Sequence, residues 1–124
     1  MIQEYEPEIE DVVNISSNIW DVIHDGMRRV IQTHSQFDGL GVEVAGKTGT
    51  AELDLRHPNH GLFIGYAPAS DPEYAVAIRI ANGYRSGNAC LIANDIFKYM
   101  YNLADKDSIL TGIASTDTSD TSND

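Results

Sequence analysis

Lys47, Thr48, Gly49 and Thr50 stand together in GVEVAGKTGTAEL, residues 41–53. A lysine beside a hydroxyl residue, hemmed in by glycines, serves two unrelated chemistries. In one, a glycine-rich loop wraps phosphates at a helix start, the lysine reaches the terminal phosphates and the threonine holds magnesium. Gly41-x-x-x-x-Gly46-Lys47-Thr48 fits that pattern letter for letter. In the other, the lysine lies on an extended strand whose free edge receives a peptide and assists acyl transfer. The plain alternative is a surface lysine in a turn-rich segment.

The neighbouring residues separate these readings. Val42-Glu43-Val44-Ala45, between the glycines, reads as strand rather than loop. Gly49-Thr50 is a poor helix opening, no helical stripe follows it, and no apolar strand ends in an aspartate that could serve magnesium. The strand reading meets the needs of acyl transfer. Gly49 has no side chain to block a substrate approaching the backbone. The hydroxyls of Thr48 and Thr50 suit a terminal carboxylate. The Thr50 amide suits a developing oxyanion, and one such donor is worth roughly 3 kcal/mol of barrier. Lys47 supplies positive potential and eases proton transfer through a neighbouring hydroxyl.

The elements around this stretch must hold it flat. Ile19, Ile23, Met27 and Val30/Ile31 recur at helical spacing with Trp20 beside them, which predicts a helix over about 18–33. Ser16, Ser17 or Asn18 suits its cap, and Arg28 and Arg29 suit the negative end of its dipole. Three strands are expected, over about 42–50, 61–67 and 73–81. In the third, Tyr74, Val76, Ile78 and Ile80 share one face, and Ala75, Ala77, Arg79 and Ala81 the other. A face of alanines lets a helix approach closely, so both sheet faces are expected to be covered. Short links suit antiparallel neighbours. Ala89, Ile92, Ala93, Ile96, Met100 and Leu103 predict a final helix over about 88–104. The order helix, three strands, helix predicts an α+β unit rather than a doubly wound parallel sheet.

Composition narrows the function classes. The 124 residues suffice for one modest core. With 19 acidic and 8 basic residues the net charge is −11, which argues against nucleic acid and against direct contact with anionic membrane. Residues 1–14 read as an extended acidic lead-in, 15–106 as the folded unit and 112–124 as a disordered acidic tail. Cys90, the single cysteine, makes no internal disulfide and reads as a small buried residue of the last helix. No apolar run approaches the roughly 20 residues of a membrane span, and the acidic start is unlike a signal peptide. His57 and His60 lie in RHPNH, a loop with no third ligand by spacing, so no metal site and no cofactor is expected; His60 is expected to open the second strand. His24 reads as partly exposed, and Trp20 and Tyr66 as core contacts.

Taken together, VAGKTGTAE, HGLFIGYAP and YAVAIRIAN resemble the C-terminal part of the transpeptidase domain of penicillin-binding proteins, of the monofunctional class B type. The flanking helices resemble the same family, and the likeness spans about 14–104. The resemblance implies a serine D,D-transpeptidase of peptidoglycan synthesis that cross-links stem peptides through an acyl-serine and is acylated by β-lactams. It implies Lys47 as a catalytic residue and Thr48, Gly49 and Thr50 as substrate-binding residues. It also implies a parent acting on the extracytoplasmic face of the bacterial cell membrane, anchored by a segment not in this chain. One departure matters. Such enzymes attack with the serine of a Ser-x-x-Lys motif, and none of Ser16, Ser17, Ser35, Ser70, Ser86, Ser108, Ser115, Ser119 and Ser122 has a lysine three residues on. Ser16-Ser17-Asn18 spells the family's Ser-x-Asn, but directly ahead of a helix, where it reads as a cap. The chain is therefore expected to be a piece of a larger protein, inactive alone and lacking the N-terminal part of its domain. Sheet neighbours lost with that part are expected to leave an edge and an apolar face bare, and to let the piece self-associate by edge pairing or helix exchange. A non-catalytic sensor or scaffold of the same fold is the alternative.

Overall fold

The computed structural model describes residues 8–109. Its elements, in order, are α1 (Ser17–Gln32), a short 3-10 turn (Ser35–Phe37), β1 (Ala45–Ala51), β2 (His60–Ala67), β3 (Tyr74–Ile80), α2 (Ser86–Met100) and α3 (Lys106–Ile109). The strands form one antiparallel sheet in the order β1-β2-β3. This is the α+β architecture expected from the sequence. The tail expected over 112–124 lies outside the described residues.

The register decides which side chains share a face. Thr48 pairs with Phe63, and Phe63 with Ile78. Lys47 pairs with Ile64, and Ile64 with Ala77. Side chains alternate along each strand, so the Phe63 row and the Lys47 row point to opposite sides. α2 covers the Phe63 side. Its fully buried Ala89, Cys90, Ala93 and Phe97 join Phe63, Phe37, Leu40 and Ile31 in one core cluster. Small residues on this face of α2 let the helix approach, and Phe97 fills the remaining depth.

Phe63 sits in a slot cut by two glycines. Gly46 and Gly65 are cross-strand partners. A Cβ built on either would lie 2.6 Å from Phe63 Cζ, closer than real carbon contacts allow. The ring therefore lies across backbone that carries no side chains, stacked against Phe37 with centroids 5.5 Å apart. Gly49 differs. A Cβ there would meet Leu62 at 3.5 Å, an ordinary contact, so the fold itself does not demand a glycine at that position.

Several expectations are corrected. The first strand begins at Ala45, not Val42, because the Glu43 carbonyl accepts the Ala69 N–H of the β2–β3 loop (2.8 Å) rather than joining the ladder. α1 starts at Ser17 with Ser16 at the cap position, but no side chain caps it; the Ser16 carbonyl takes the amides of Ile19 and Trp20 instead. Of the apolar stripe on α1 only Ile31 is buried, while Ile19 and Ile23 are 48% and 41% exposed. α2 starts two residues early and ends at Met100. The adjoining turn puts Asn102 at positive φ and closes with Leu103 N–H to the Lys98 carbonyl, a left-handed stop that asparagine tolerates. The sheet is not covered on both faces. Ala75, Ala77 and Arg79 are exposed, as is Ile64 at 55%.

The β1–β2 loop is closed by its own side chains. The Asp54 carboxylate accepts the backbone N–H groups of Arg56 (2.7 Å) and His57 (3.1 Å), and the His57 Nδ1 lies 2.9 Å from it. The Arg56 amide first, then the His57 ring, hold the Asp54 carboxyl below the usual carboxylate range. At the other end of the sheet, the Tyr101 hydroxyl donates to the Ala67 carbonyl (2.7 Å), tying the exit of α2 to the end of β2.

Two predictions follow from this packing. Gly46→Ala must displace the Phe63 ring and is expected to cost about 1–3 kcal/mol, whereas Gly49→Ala should stay within about 0.5 kcal/mol of the native chain; urea unfolding of both variants checks the contrast. For the loop, a carboxyl whose pKa is depressed by folding contributes in full above the ordinary aspartate range, and that contribution is lost as pH falls through the depressed value. A carboxyl-carbon NMR titration should therefore place the Asp54 midpoint below that of a free aspartate. Protection of the Arg56 amide from exchange should weaken over the same interval and be lost at neutral pH in Asp54→Ala, which removes the acceptor.

Candidate functional site

β1 forms one border of the sheet, with β2 on its inner side and no strand on its outer side among the described residues. It is extended from Ala45 through Ala51. The glycine loop leading straight into a helix, which phosphate binding requires, is not formed here. The seven residues of β1 pair one-to-one with His60–Tyr66, so the strand carries no bulge.

The four residues singled out in the sequence do not share a face. Lys47 is exposed on the open side, in the row of Ile64 and Ala77. Its ammonium turns back along the strand and donates to the Thr48 carbonyl (2.7 Å). Gly49 lies on the same side, in the row of Leu62 and Arg79. Thr48 and Thr50 point to the side of α2. Thr48 is only 5% exposed, and its hydroxyl is buried without a hydrogen-bond partner. The Thr50 hydroxyl accepts the Ser86 N–H (3.2 Å) at the start of α2. The two hydroxyls expected to serve a terminal carboxylate thus share the α2 side of the strand. Strand alternation separates them from Lys47, and α2 engages one of them.

The open side is a shallow depression of about 420 Å³ over Lys47, Gly49, Leu62, Ile64, Ala77 and Arg79. Its floor is apolar and its two charged residues are both cations. Arg79 was not singled out by motif. It belongs to the site because the register places it level with Gly49. Its guanidinium Nη2 lies 3.3 Å from Nε2 of His60, whose Nδ1 accepts the Asn82 N–H (3.0 Å). His60 is buried at the head of β2, where the sequence placed it. His57 is turned to Asp54 and does not meet His60. Among the described residues no group of three or more His, Cys, Asp or Glu side chains could hold a metal ion. Nor is any helix among them long and apolar enough to cross a membrane.

The flanks are held by long-range hydrogen bonds and ring contacts. Arg28 of α1 donates to the Ala69 carbonyl (2.8 Å) beyond the end of β2. His24 of α1 meets the Tyr66 ring edge-on, with centroids 5.8 Å apart, and Trp20 lies against His24 at 5.7 Å. Trp20 and Tyr66 thus belong to one aromatic run, with Trp20 at its outer, partly exposed end. Asn94 of α2 donates to the Gln36 carbonyl, and Asn88 to the Gly83 carbonyl (2.9 Å).

Comparison with known proteins places the chain. Residues 2–102 match the family described as the penicillin binding protein transpeptidase domain. A peptidoglycan D,D-transpeptidase MrdA of Acinetobacter baumannii is 36% identical over 104 residues, covering 73% of this chain and 15% of that protein. A peptidoglycan D,D-transpeptidase PbpA of Mycobacterium tuberculosis is 52% identical over 46 residues, covering 35% of this chain and 9% of that protein. Among solved structures, Pseudomonas aeruginosa PBP2 in complex with WCK 5153 superposes with a TM-score of 0.62 at 26% identity, covering 94% of this chain and 26% of that one. The chain thus spans a small part of the length of the relatives it matches. The family model covers most of the chain and the sheet with its flanking helices recurs in solved relatives, so the chain belongs to the penicillin-binding protein transpeptidase-domain family.

Proposed function

We propose that this chain is the part of a peptidoglycan D,D-transpeptidase that offers its motif strand to the substrate. The observation that carries the reading is β1 itself, an unbulged border strand with Lys47 and Gly49 on its open side. A stem peptide ending in D-Ala-D-Ala adds along this border as an extra strand, through main-chain hydrogen bonds. Gly49 supports the same reading from a second direction. The fold accepts a Cβ there, so the space above Gly49 is available for something other than packing within the chain.

The roles divide as follows. Lys47 supplies positive potential for the terminal carboxylate of the donor and supports proton relay. Its present bond to the Thr48 carbonyl keeps the ammonium at the border. The Thr50 amide serves the oxyanion of the tetrahedral intermediate, a position where a fixed dipole acts without reorganisation. Thr48 borders the substrate through its backbone on the strand border, while its side chain is turned toward α2. The nucleophilic serine and its lysine come from the N-terminal part of the domain. In the intact protein the serine attacks the D-Ala-D-Ala carbonyl, D-Ala leaves, and an amine of a neighbouring stem peptide takes the acyl group. β-Lactams imitate the donor and leave the serine acylated. A ceftriaxone acyl-enzyme complex of M. tuberculosis penicillin-binding protein A, which superposes with a TM-score of 0.58 at 27% identity over 70% of this chain, supports that extension. On this reading the intact protein works on the extracytoplasmic face of the bacterial cell membrane.

Fluorescent penicillin tests the proposal. The chain alone should not be labelled covalently, and covalent labelling would refute the absence of a nucleophile. Joined to the N-terminal part of a relative's transpeptidase domain, the folded product should be labelled. In that setting Lys47→Ala should slow acylation by about 10²-fold or more, and Gly49→Ala should slow it without loss of the folded state. A folded, joined protein that takes no label would favour a non-catalytic sensor or scaffold.

A further inference from the structure

His60 and Arg79 meet in a way that hydrogen bonding within the chain does not satisfy. His60 is 8% exposed at the head of β2. Its Nδ1 accepts the Asn82 N–H (3.0 Å), and the backbone imposes that role. Asn82 lies at positive φ in a turn closed by the Gly83 N–H to the Ile80 carbonyl (3.2 Å). A Cβ on Gly83 would stand 2.7 Å from Ile80 Cβ, so the turn has no slack. The Tyr84 N–H to the Asn59 carbonyl (2.9 Å) ties the same turn to the residue before His60. A neutral imidazole has one donor and one acceptor nitrogen. With Nδ1 accepting, the proton sits on Nε2. That Nε2 lies 3.3 Å from Nη2 of Arg79, and a guanidinium only donates. Two N–H donors therefore face one another, and among the described residues no carboxylate is paired with Arg79.

We propose that Arg79 and the Nε2–H of His60 form an anion site at the end of the open face, and that its ligand is a carboxylate supplied from outside this chain. A carboxylate oxygen set between the two donors accepts from both. It turns an N–H against N–H contact into two charge-assisted hydrogen bonds, each about twice as strong as a neutral one. A carboxylate suits the site better than a neutral carbonyl, because Arg79 carries a charge that no described side chain balances. Arg79 is exposed and His60 is buried, so the ligand enters from the depression and ends on the imidazole. The site is distinct from the one proposed for the terminal carboxylate of the donor. The Lys47 ammonium is held on β1 at the Thr48 carbonyl, whereas Arg79 is held on β3 beside His60. Two sources offer this chemistry. One is a carboxylate of a peptide lying across the open face. The other is an aspartate or glutamate of the N-terminal part of the domain, seated on the same face in the intact protein. The anion site stands without the transpeptidase reading; only the choice of source rests on it.

The test uses this whole chain, acetate as the probe and no acylation. Nitrogen NMR of the histidine rings should show His60 protonated on Nε2 and not on Nδ1. Acetate at millimolar concentration should shift the His60 ring signals saturably, and acetamide, its neutral isostere, should not. Arg79→Met should weaken acetate binding by roughly tenfold or more, whereas Lys47→Ala should change it by less than about twofold, because its charge is solvent-screened from the site. Should Arg79→Met fail to fold, the ring proton and the acetate–acetamide contrast decide the matter. A His60 proton on Nδ1, which lets Nε2 accept from Arg79 and leaves nothing unsatisfied, would overturn the proposal. So would equal shifts with acetamide, or a folded Arg79→Met variant that binds acetate as the native chain does. The chain joined to the N-terminal part of a relative's domain then separates the sources. With a peptide carboxylate as ligand, acetate still shifts His60 there, and Arg79→Met raises KM for the donor peptide while kcat holds. With an acidic side chain of the N-terminal part, acetate no longer shifts His60, and Arg79→Met destabilises the joined protein more than this chain alone.

Discussion

The contact on which the rest depends is the Phe63 ring lying across Gly46 and Gly65. A phenyl ring of this size, fully buried, contributes roughly 1.5–3 kcal/mol of transfer free energy, and it does so here only because two paired backbone positions carry no side chains. The ring joins both layers of the core. From the sheet it reaches Phe37, and the same cluster includes Ala93 and Phe97 of α2. It also sets the neighbourhood of the motif. Gly46 is one residue before Lys47, so the strand that carries the candidate chemistry is held flat from beneath by a core aromatic. The glycine before the lysine has a structural reason, and the glycine two residues after it does not. Two glycines in one short motif thus answer to different constraints.

The division of β1 into two faces shapes what the site can do. Lys47 and Gly49 look out over an apolar floor whose charges, among the described residues that line it, are Lys47 and Arg79. Thr48 and Thr50 look toward α2. In a chain with an excess of acidic residues, a face lined by cations and free of carboxylates is a local reversal of charge. An anionic, extended ligand meets favourable potential there and unfavourable potential over most of the remaining surface. The polar network around His60, Arg79 and Asn82 stands at the end of the same face.

Much of this was legible in the sequence, for physical reasons that can be named. The alternation in Tyr74–Ile80 and the small-residue stripe of α2 are periodic signals, and they give the order of elements and the class of fold. The resemblance carried by Lys47-Thr48-Gly49, HGLFIGYAP and YAVAIRIAN identified the family that the comparison shows. What was not legible depends on register and on long-range contacts. No local pattern says that Gly46 faces Gly65, that Arg79 is level with Gly49, or that Ser86 donates to Thr50. The start of β1 was misplaced because Val42 and Val44 have strand-like side chains, whereas Glu43 spends its carbonyl on Ala69. The exposed half of α1 follows the same logic. Periodicity reports a face that is apolar, not whether something lies against it.

Gly61 carries a further consequence. A Cβ there would stand 2.5 Å from the Arg85 carbonyl oxygen, so the turn before α2 rests directly on the backbone of β2. The next residue, Ser86, is the donor that holds the Thr50 hydroxyl. The last long helix is therefore seated by its first residues at the far end of the motif strand, beside Thr50 and Ala51. A displacement of α2 along its axis is passed to that end of β1 through the Ser86–Thr50 hydrogen bond and to β2 at Gly61. Substitutions along the buried stripe of the helix would therefore be felt at the end of the motif strand, although none of those residues lies on it.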